Sequence, residues 1–264
     1  MKGAYQLLKR IINYSRRAAA RLFLGYSDPV SRSRLEAELK ADVFFGFPEL
    51  LACNYGILAK AQGLGRSMEA KLAVDTDGEP IPWYTYPAIE YIRQLDFSGK
   101  NIFEYGCGYS SLYWAGRAGK VCSVDHNAEW IEKIRPLMHS NQRVIMRTER
   151  DAYARAIDEF VEPLDVIIID GVWRNECADR VLKHITPESI IILDNADWYR
   201  DVAATLRKSG FFEVSFNGFG PIANFTWSTS LFFPWASAWG KVLGDPKPIG
   251  SVKVTKNAEN ETYW

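Results

Sequence analysis

The chain lacks an excess of charge of either sign, since 32 Lys and Arg residues face 32 Asp and Glu residues. Without a general positive field, we expect no nucleic acid partner. The chain also lacks an apolar run of the roughly 18–20 residues that a helix needs to cross a bilayer. We recognise no secretory signal and no Cys-x-x-Cys pair, which argues against a zinc site. We therefore expect a cytoplasmic protein with reduced thiols at Cys53, Cys107, Cys122 and Cys177.

Hydrophobic residues make up 47% of the 264 residues and charged residues 24%, as in a globular protein with a full core. The charge is unevenly placed, because residues 1–34 hold eight basic residues and a single acid. A basic helix in residues 1–24 could contact an anionic membrane surface, or it could pack on the domain or on a second copy in a homodimer. We expect a basic helical extension over 1–80, ending in glycine-rich loops, a main domain over 81–240 and a tail over 241–264.

The segment Asn101–Ser111 begins as an apolar strand, breaks at a Gly-x-Gly turn and continues into helix-compatible residues. Strand, glycine turn and helix begin a nucleotide-binding βαβ unit, because glycine lets a ligand approach the backbone. Glu104 precedes the turn by two residues, and Ser111 replaces the third glycine of dinucleotide-binding folds. Both features oppose a diphosphate and favour a ligand with an adenosine and a cationic amino acid portion. An ordinary tight turn at Gly106 and Gly108 is the alternative.

A second strand, Lys120–Asp125, ends on an acid 19 residues after Gly106, where such units place the carboxylate that binds ribose hydroxyls. Together with Glu104, Gly108 and two later strand ends, this spacing resembles the class I S-adenosylmethionine-dependent methyltransferases over residues 84–233. The resemblance implies a Rossmann-like α/β fold, with a seven-stranded, mostly parallel sheet and helices on both faces. It also implies S-adenosylmethionine as the cofactor, held by Glu104, Gly106, Gly108, Ser110, Asp125, His126, Asp151, Asp170 and Tyr86.

Two apolar runs, Leu164–Asp170 and Ser189–Leu193, predict neighbouring buried parallel strands. The first ends on Asp170 and the second is followed by Asp194 and Asn195, so these side chains should share the carboxyl edge of the sheet. Oxygen ligands of this kind suit Mg²⁺. The set is similar to the metal triad of catechol O-methyltransferase-like enzymes, in which the metal acidifies the hydroxyl that is methylated.

The resemblance to those enzymes is incomplete at the general base. Their lysine, three residues after the first aspartate, is Trp173 here, and the following Arg174 stays protonated and could only bind an anion. Asp170 and Asp194 are therefore the predicted catalytic residues, with Asn195 as a third possible metal ligand. Alternatively, Asp170 supports the cofactor turn while the other two residues cap the following helix.

The sequence thus predicts an enzyme, a methyltransferase that O-methylates a small hydroxylated acceptor, either phenolic or a sugar. The last two predicted strands, Phe211–Phe216 and Asn224–Phe233, should bring Phe219, Phe225 and Trp227 to that acceptor. Two other classes stay open. An NAD-dependent oxidoreductase also uses Gly-x-Gly and a ribose-binding acid, and a non-catalytic, membrane-associated nucleotide-binding module would use the basic N-terminal segment.

Overall fold

The structure is a computed structural model that describes residues 52–235 and residue 249. The basic helix and the membrane contact predicted for residues 1–24 lie outside the described residues. The predicted tail over 241–264 also lies outside them, apart from residue 249.

The chain divides after Leu58 into two compact units, and the second begins at Ala59. The residues from 59 to 80, which we expected in the extension, therefore belong to the same unit as the sheet. A short helix, Leu64–Ala70, forms where the glycines predicted loops, directly after Gly63 with its φ of 82°. Glycine adopts this left-handed conformation without strain, so Gly63 provides the turn into the helix.

Seven strands form one sheet: β1 (Asn101–Tyr105), β2 (Lys120–Asp125), β3 (Gln142–Met146), β4 (Val166–Ile169), β5 (Ile190–Leu193), β6 (Phe211–Gly218) and β7 (Trp227–Pro234). Their order in the sheet is β3-β2-β1-β4-β5-β7-β6. Strands β1 to β5 are parallel, whereas β7 runs antiparallel to both β5 and β6. The predicted Rossmann-like, seven-stranded, mostly parallel sheet is confirmed.

The α-helices of the described residues are α1 (Leu64–Ala70), α2 (Tyr86–Arg93), α3 (Tyr109–Ala115), α4 (Ala128–Ile134), α5 (Arg150–Ala154), α6 (Arg174–Val181) and α7 (Arg200–Lys208). A π-helix spans Ala52–Ala61, and 3-10 turns follow α4 and α5 at Arg135–Leu137 and Arg155–Glu159. None of the helices in this described part of the chain has both the length and the apolar character needed to cross a bilayer.

Strands β4 and β5 form the centre of the core, and every residue in them is fully buried. Their β-branched side chains suit a parallel strand that is covered on both faces. The register pairs Tyr105 with Ile169 and Ile169 with Leu193, so β1, β4 and β5 end at the same edge. The residues that follow these strands, Gly106, Asp170 and Asp194, are thereby brought to one rim of the sheet.

Candidate active site

A cavity of about 610 Å³ opens at the carboxyl edge of the parallel strands. Its size is within the range of small-molecule sites, and its position is where open α/β sheets bind ligands. Most of the residues that the sequence singled out line it: Gly106, Gly108, Ser110, Asp125, His126, Asp170, Asp194 and Asn195. The part formed by Gly106–Ser110 and Asp125 is called the turn side below. The part formed by Asp170, Arg174 and Asp194 is called the carboxylate-pair side.

The turn side depends on a close approach of two backbones. Gly106 has a φ of 96°, and a Cβ on it would lie 3.2 Å from the backbone of Asp170 and of Gly171. A Cβ on Gly171 would overlap the Tyr153 hydroxyl. Glycine is needed at both positions because the ends of β1 and β4 meet there without room for a side chain.

Asp125 fixes the turn from the end of β2. Its Oδ2 accepts a hydrogen bond from the Cys107 N–H at 2.9 Å, and its Oδ1 accepts one from the Asn127 N–H at 2.8 Å. The carboxylate is buried yet lines the cavity. Each oxygen has a further lone pair, so the same group can accept hydrogen bonds from the hydroxyls of a ligand.

Glu104 lies fully buried beneath the turn and does not line the cavity. Its Oε2 accepts hydrogen bonds from the hydroxyls of Ser111 and Ser123, and Ser111 Oγ accepts one from the Gly108 N–H. Burial raises the pKa of Glu104 to about 7, although the neighbouring serine hydroxyls lower it in part. Its Oε1 is buried and has no hydrogen-bond partner among the described residues.

The carboxylate-pair side is organised around the buried guanidinium of Arg174. It forms an ion pair with Asp170 Oδ1 at 3.0 Å and donates further hydrogen bonds to the backbone oxygens of Asp170, Gly171 and Asp194. The guanidinium also lies over the Tyr199 ring, 4.4 Å from its centroid. Arg174 therefore ties the ends of β4 and β5 together, and its donors are largely used within the protein rather than offered to an anionic ligand.

Asp194 is held by two side chains from β7. Its Oδ1 accepts hydrogen bonds from Trp227 Nε1 at 2.9 Å and from the Thr229 hydroxyl at 2.5 Å. Burial raises the pKa of Asp194 well above its usual range, and the neighbouring Asp170 raises it further. Burial also raises the pKa of Asp170, to about 6, against the lowering effect of Arg174. Near neutral pH, the pair therefore tends to retain a proton.

The predicted magnesium site does not fit this arrangement. A divalent ion at Asp170 would lie beside the buried Arg174 guanidinium, which already offsets one of the two carboxylate charges. The Oδ1 atom of Asp194 already accepts two hydrogen bonds from protein donors. Within the described ranges, no group of three or more His, Cys, Asp or Glu side chains is placed to bind a metal ion. Asn195 lines the cavity, but the carboxylates beside it are engaged with protein groups.

The structure does not bring two further predicted cofactor residues to the cavity. Asp151 falls in the first turn of α5, where its side chain is 83% exposed and forms an ion pair with Arg155. Tyr86 begins α2 and faces the core. In the aromatic segment Trp83–Tyr86, Trp83 lines the cavity and the two tyrosines do not. Of the three aromatic residues that the sequence predicted near the acceptor, Phe225 and Trp227 line the cavity and Phe219 does not.

Several residues that line the cavity were not predicted from the sequence: Lys71, Trp130, Tyr153, Trp198 and Ile222. Of the non-glycine residues with positive φ in the described part of the chain, Lys71, Asn195 and Ile222 line the cavity. Trp173, with a φ of 51°, lies between two lining residues. Strained backbone conformations persist where the surrounding structure enforces them, often at functional sites. Because the cause is tertiary, they cannot be predicted from the local sequence.

A scan against protein-family models finds no match to this chain, and a search of curated proteins finds none either. Solved structures similar to it include the precorrin-6y C5,15-methyltransferase from Geobacter metallireducens GS-15, with 12% identity and a TM-score of 0.49. That alignment covers 63% of this chain and 96% of the other.

An rRNA methylase from Streptococcus thermophilus aligns with 15% identity and a TM-score of 0.43, over 56% of this chain and 96% of the other. The N-methyltransferase NodS from Bradyrhizobium japonicum WM9, in complex with S-adenosyl-L-homocysteine, aligns with 16% identity and a TM-score of 0.39. It covers 50% of this chain and 76% of NodS. The function of this chain therefore has to be argued from its own geometry.

Proposed function

We propose that the protein is an S-adenosylmethionine-dependent O-methyltransferase that acts on a hydroxylated small molecule, phenolic or a sugar, without a metal ion. The observation that carries the proposal is the composition of the cavity at the carboxyl edge of the sheet. Its turn side offers a glycine turn with a buried carboxylate, Asp125, and its other side offers two neighbouring carboxyl groups, Asp170 and Asp194. The first set suits a nucleoside, and the second suits a hydroxyl group.

The turn side fits S-adenosylmethionine in two ways. The Asp125 carboxylate can accept hydrogen bonds from ribose hydroxyls while its other lone pairs keep the turn in place. The Glu104 carboxyl beneath the turn suits a ligand with an ammonium group, because its negative charge would attract the cation through the thin layer of backbone that separates them. A cation near Glu104 would also favour its ionised form, since opposite charge lowers a carboxyl pKa.

The same groups argue against a dinucleotide. Dinucleotide folds bind pyrophosphate with free N–H groups at the first helix of the βαβ unit, but the Gly108 N–H already donates to Ser111 Oγ. Behind it lies the Glu104 carboxyl, and its ionised form would repel a diphosphate. The Trp130 indole, which donates to the Cys107 carbonyl at 2.6 Å, would lie 3.5 Å from a Cβ on Gly108 and so covers the turn.

When bound, the sulfonium supplies the electrophilic methyl group: the acceptor oxygen forms a C–O bond as the C–S bond breaks, and the electron pair remains on sulfur to give S-adenosylhomocysteine. The work of the protein is to position the acceptor oxygen, to exclude water and to receive the hydroxyl proton. Asp170 is the proton acceptor of the pair, because a carboxyl with a pKa of about 6 is mostly ionised at neutral pH and its pKa is close enough to neutrality for it to take up the hydroxyl proton. Asp194 lies beside it and orients the same hydroxyl.

Calorimetry with S-adenosylhomocysteine and with NAD, each added to the full-length protein, tests the proposal. We expect binding of S-adenosylhomocysteine and none of NAD. Binding of NAD in its place would favour an oxidoreductase, and binding of neither would leave a non-catalytic module as the better interpretation. In a methyl-transfer assay with labelled cofactor, Asp170→Asn should abolish transfer while S-adenosylhomocysteine still binds, because the amide cannot accept the hydroxyl proton and Asp170 lies outside the turn side.

A further inference from the structure

The outer part of the cavity is lined by aromatic rings that remain partly exposed. Trp198 is 59% exposed, Trp83 49% and Phe225 45%, and all three line the cavity. The Trp198 and Phe225 rings lie 6.1 Å apart between centroids and are tilted by only 33°. Apolar surface of this kind at the mouth of a cavity marks a place where a ligand or partner is bound. Trp198 and Phe225 are together called the aromatic platform below.

The aromatic platform continues inward to the carboxylate pair. The Phe225 ring lies 5.7 Å from that of Trp227, which is buried and whose Nε1 donates to Asp194 Oδ1. A ligand ring that lies along this row of aromatic side chains therefore has its inner edge at the carboxylates and its outer edge in solvent. The row fixes both the orientation of the ligand and the position of the hydroxyl that reacts.

The loop that carries Phe225 is held in place by its surroundings. The Tyr86 N–H donates to the Phe219 carbonyl at 2.7 Å, where the loop begins. Ile222 has a φ of 67°, a conformation that is costly for a β-branched residue and that must be imposed by neighbouring contacts. A Cβ on Gly220 would overlap the Trp227 ring, so this loop packs directly on the aromatic row. The aromatic platform is thus formed before a ligand arrives, which reduces the entropic cost of binding.

We propose that the acceptor is a neutral saccharide, an inference that rests on the O-methyltransferase function proposed above. A sugar ring has an apolar C–H face and a rim of neighbouring hydroxyls, so it matches an aromatic surface that leads to carboxylates. A carboxylate can accept hydrogen bonds from two adjacent hydroxyls at once. The hydroxyls at the inner edge bind Asp170 and Asp194, and the C–H face packs on the aromatic platform.

The exposure of the aromatic platform distinguishes a saccharide from a small phenol. A planar phenol gains most when both of its faces are enclosed, whereas Trp198 and Phe225 leave the outer face of a ligand in solvent. An open mouth also admits a sugar that is joined to further units. Acidic sugars are disfavoured, because the Arg174 donors at the inner end are already used by the protein.

Saturation-transfer NMR on the full-length protein, saturated with S-adenosylhomocysteine, tests the inference. The probes are the methyl glycosides of glucose, galactose, mannose, rhamnose and fucose, the disaccharide maltose and, as a phenol, catechol. We expect saturation transfer to the ring C–H protons of at least one saccharide. Trp198→Ala and Phe225→Ala should each weaken its affinity by about tenfold, the scale of one lost aromatic contact.

Trp235→Ala is the matched control, since Trp235 is 77% exposed, packs on Phe212 and does not line the cavity. It should leave saccharide binding unchanged. If the affinity for the saccharide is the same in Trp198→Ala, Phe225→Ala and Trp235→Ala, the aromatic platform does not bind the saccharide and the inference is refuted. Binding of catechol but of no saccharide, or of neither, would refute the saccharide class while S-adenosylhomocysteine still binds. Failure of S-adenosylhomocysteine to bind the unsubstituted protein would instead refute the proposed function itself.

Discussion

On the turn side of the cavity, backbone groups hold the carboxylate in place, whereas on the carboxylate-pair side other side chains do so. Both oxygens of Asp125 accept hydrogen bonds from main-chain N–H groups, those of Cys107 and Asn127. These donors are present whatever side chains stand at the two positions. The position of the Asp125 carboxylate is therefore insensitive to most substitutions of Cys107 and Asn127.

The carboxylate-pair side depends on individual side chains. Arg174 pairs with Asp170, and Trp227 and Thr229 hold Asp194. Because an unpaired buried charge is costly, the removal of one supporting side chain changes the whole pair. The turn side is therefore fixed largely by the main chain, while the carboxylate-pair side can be changed or damaged one residue at a time.

The largest expected effect comes from removing the buried cation. Arg174→Met should lower the free energy of unfolding by about 3–5 kcal/mol, because it leaves the Asp170 charge buried without its partner. Urea denaturation at neutral pH measures the loss. Arg150→Met is the matched control, since Arg150 forms an exposed ion pair with Glu176 and its loss should cost at most about 1 kcal/mol. Equal losses in the two variants would contradict a special role for Arg174.

Glu104 should make stability depend on pH. Its pKa is raised from 4.5 to about 7 by burial, so the folded protein retains a proton that the unfolded chain releases. The resulting stability is complete below pH 4.5 and is lost as the pH rises through about 7, by about 3 kcal/mol in all. The raised pKa values of Asp170 and Asp194 also make stability fall as the pH rises, so the contribution of Glu104 is measured as the difference between two proteins.

That difference is between the unsubstituted protein and Glu104→Gln, compared by urea denaturation over this pH range. The amide cannot ionise, so the variant should lose less stability between pH 5 and 8, by about 3 kcal/mol. Parallel pH dependences would show that the pKa of Glu104 is not raised in the folded protein.

Asp125→Ala should weaken the binding of S-adenosylhomocysteine by about 1.5–3 kcal/mol, the usual worth of a hydrogen bond to a charged group. Calorimetry measures the change, and Asp151→Ala is the control because this exposed carboxylate lies outside the cavity. Loss of affinity in the control but not in Asp125→Ala would mean that the nucleoside binds elsewhere.

The sequence predicted the turn side well because its interactions are local. Asp125 lies 18 residues from Cys107 and two from Asn127, and the strand–turn–helix pattern fixes all three positions. The central strands were equally predictable, since the unbroken β-branched runs of β4 and β5 suit burial on both faces. Their neighbouring ends therefore placed Asp170 and Asp194 on one rim.

The partners on the carboxylate-pair side could not be predicted in this way. Trp227 and Thr229 lie 33 and 35 residues from Asp194, and nothing in the local pattern shows that they reach it. Arg174 was predicted only as a possible anion-binding residue, because its contacts depend on the left-handed residue Trp173 before α6. Asp151 shows the opposite case: it was expected at the cofactor, but it lies in the first turn of α5, where its exposed side chain forms an ion pair with Arg155.

The smallest expected effect concerns Mg²⁺, and it sharpens the comparison between the two sides. With Arg174 in place, millimolar Mg²⁺ or a chelator should leave the melting temperature of the S-adenosylhomocysteine-bound protein unchanged, because the guanidinium already offsets the charge of Asp170. In Arg174→Met, Asp170 and Asp194 become a carboxylate pair without a cation. A divalent ion that binds this pair only in the folded state should then raise the melting temperature, in proportion to its occupancy. Stabilisation of the unsubstituted protein to the same extent would show that the cavity takes a metal beside the arginine, and that hydroxyl activation belongs to the metal rather than to Asp170.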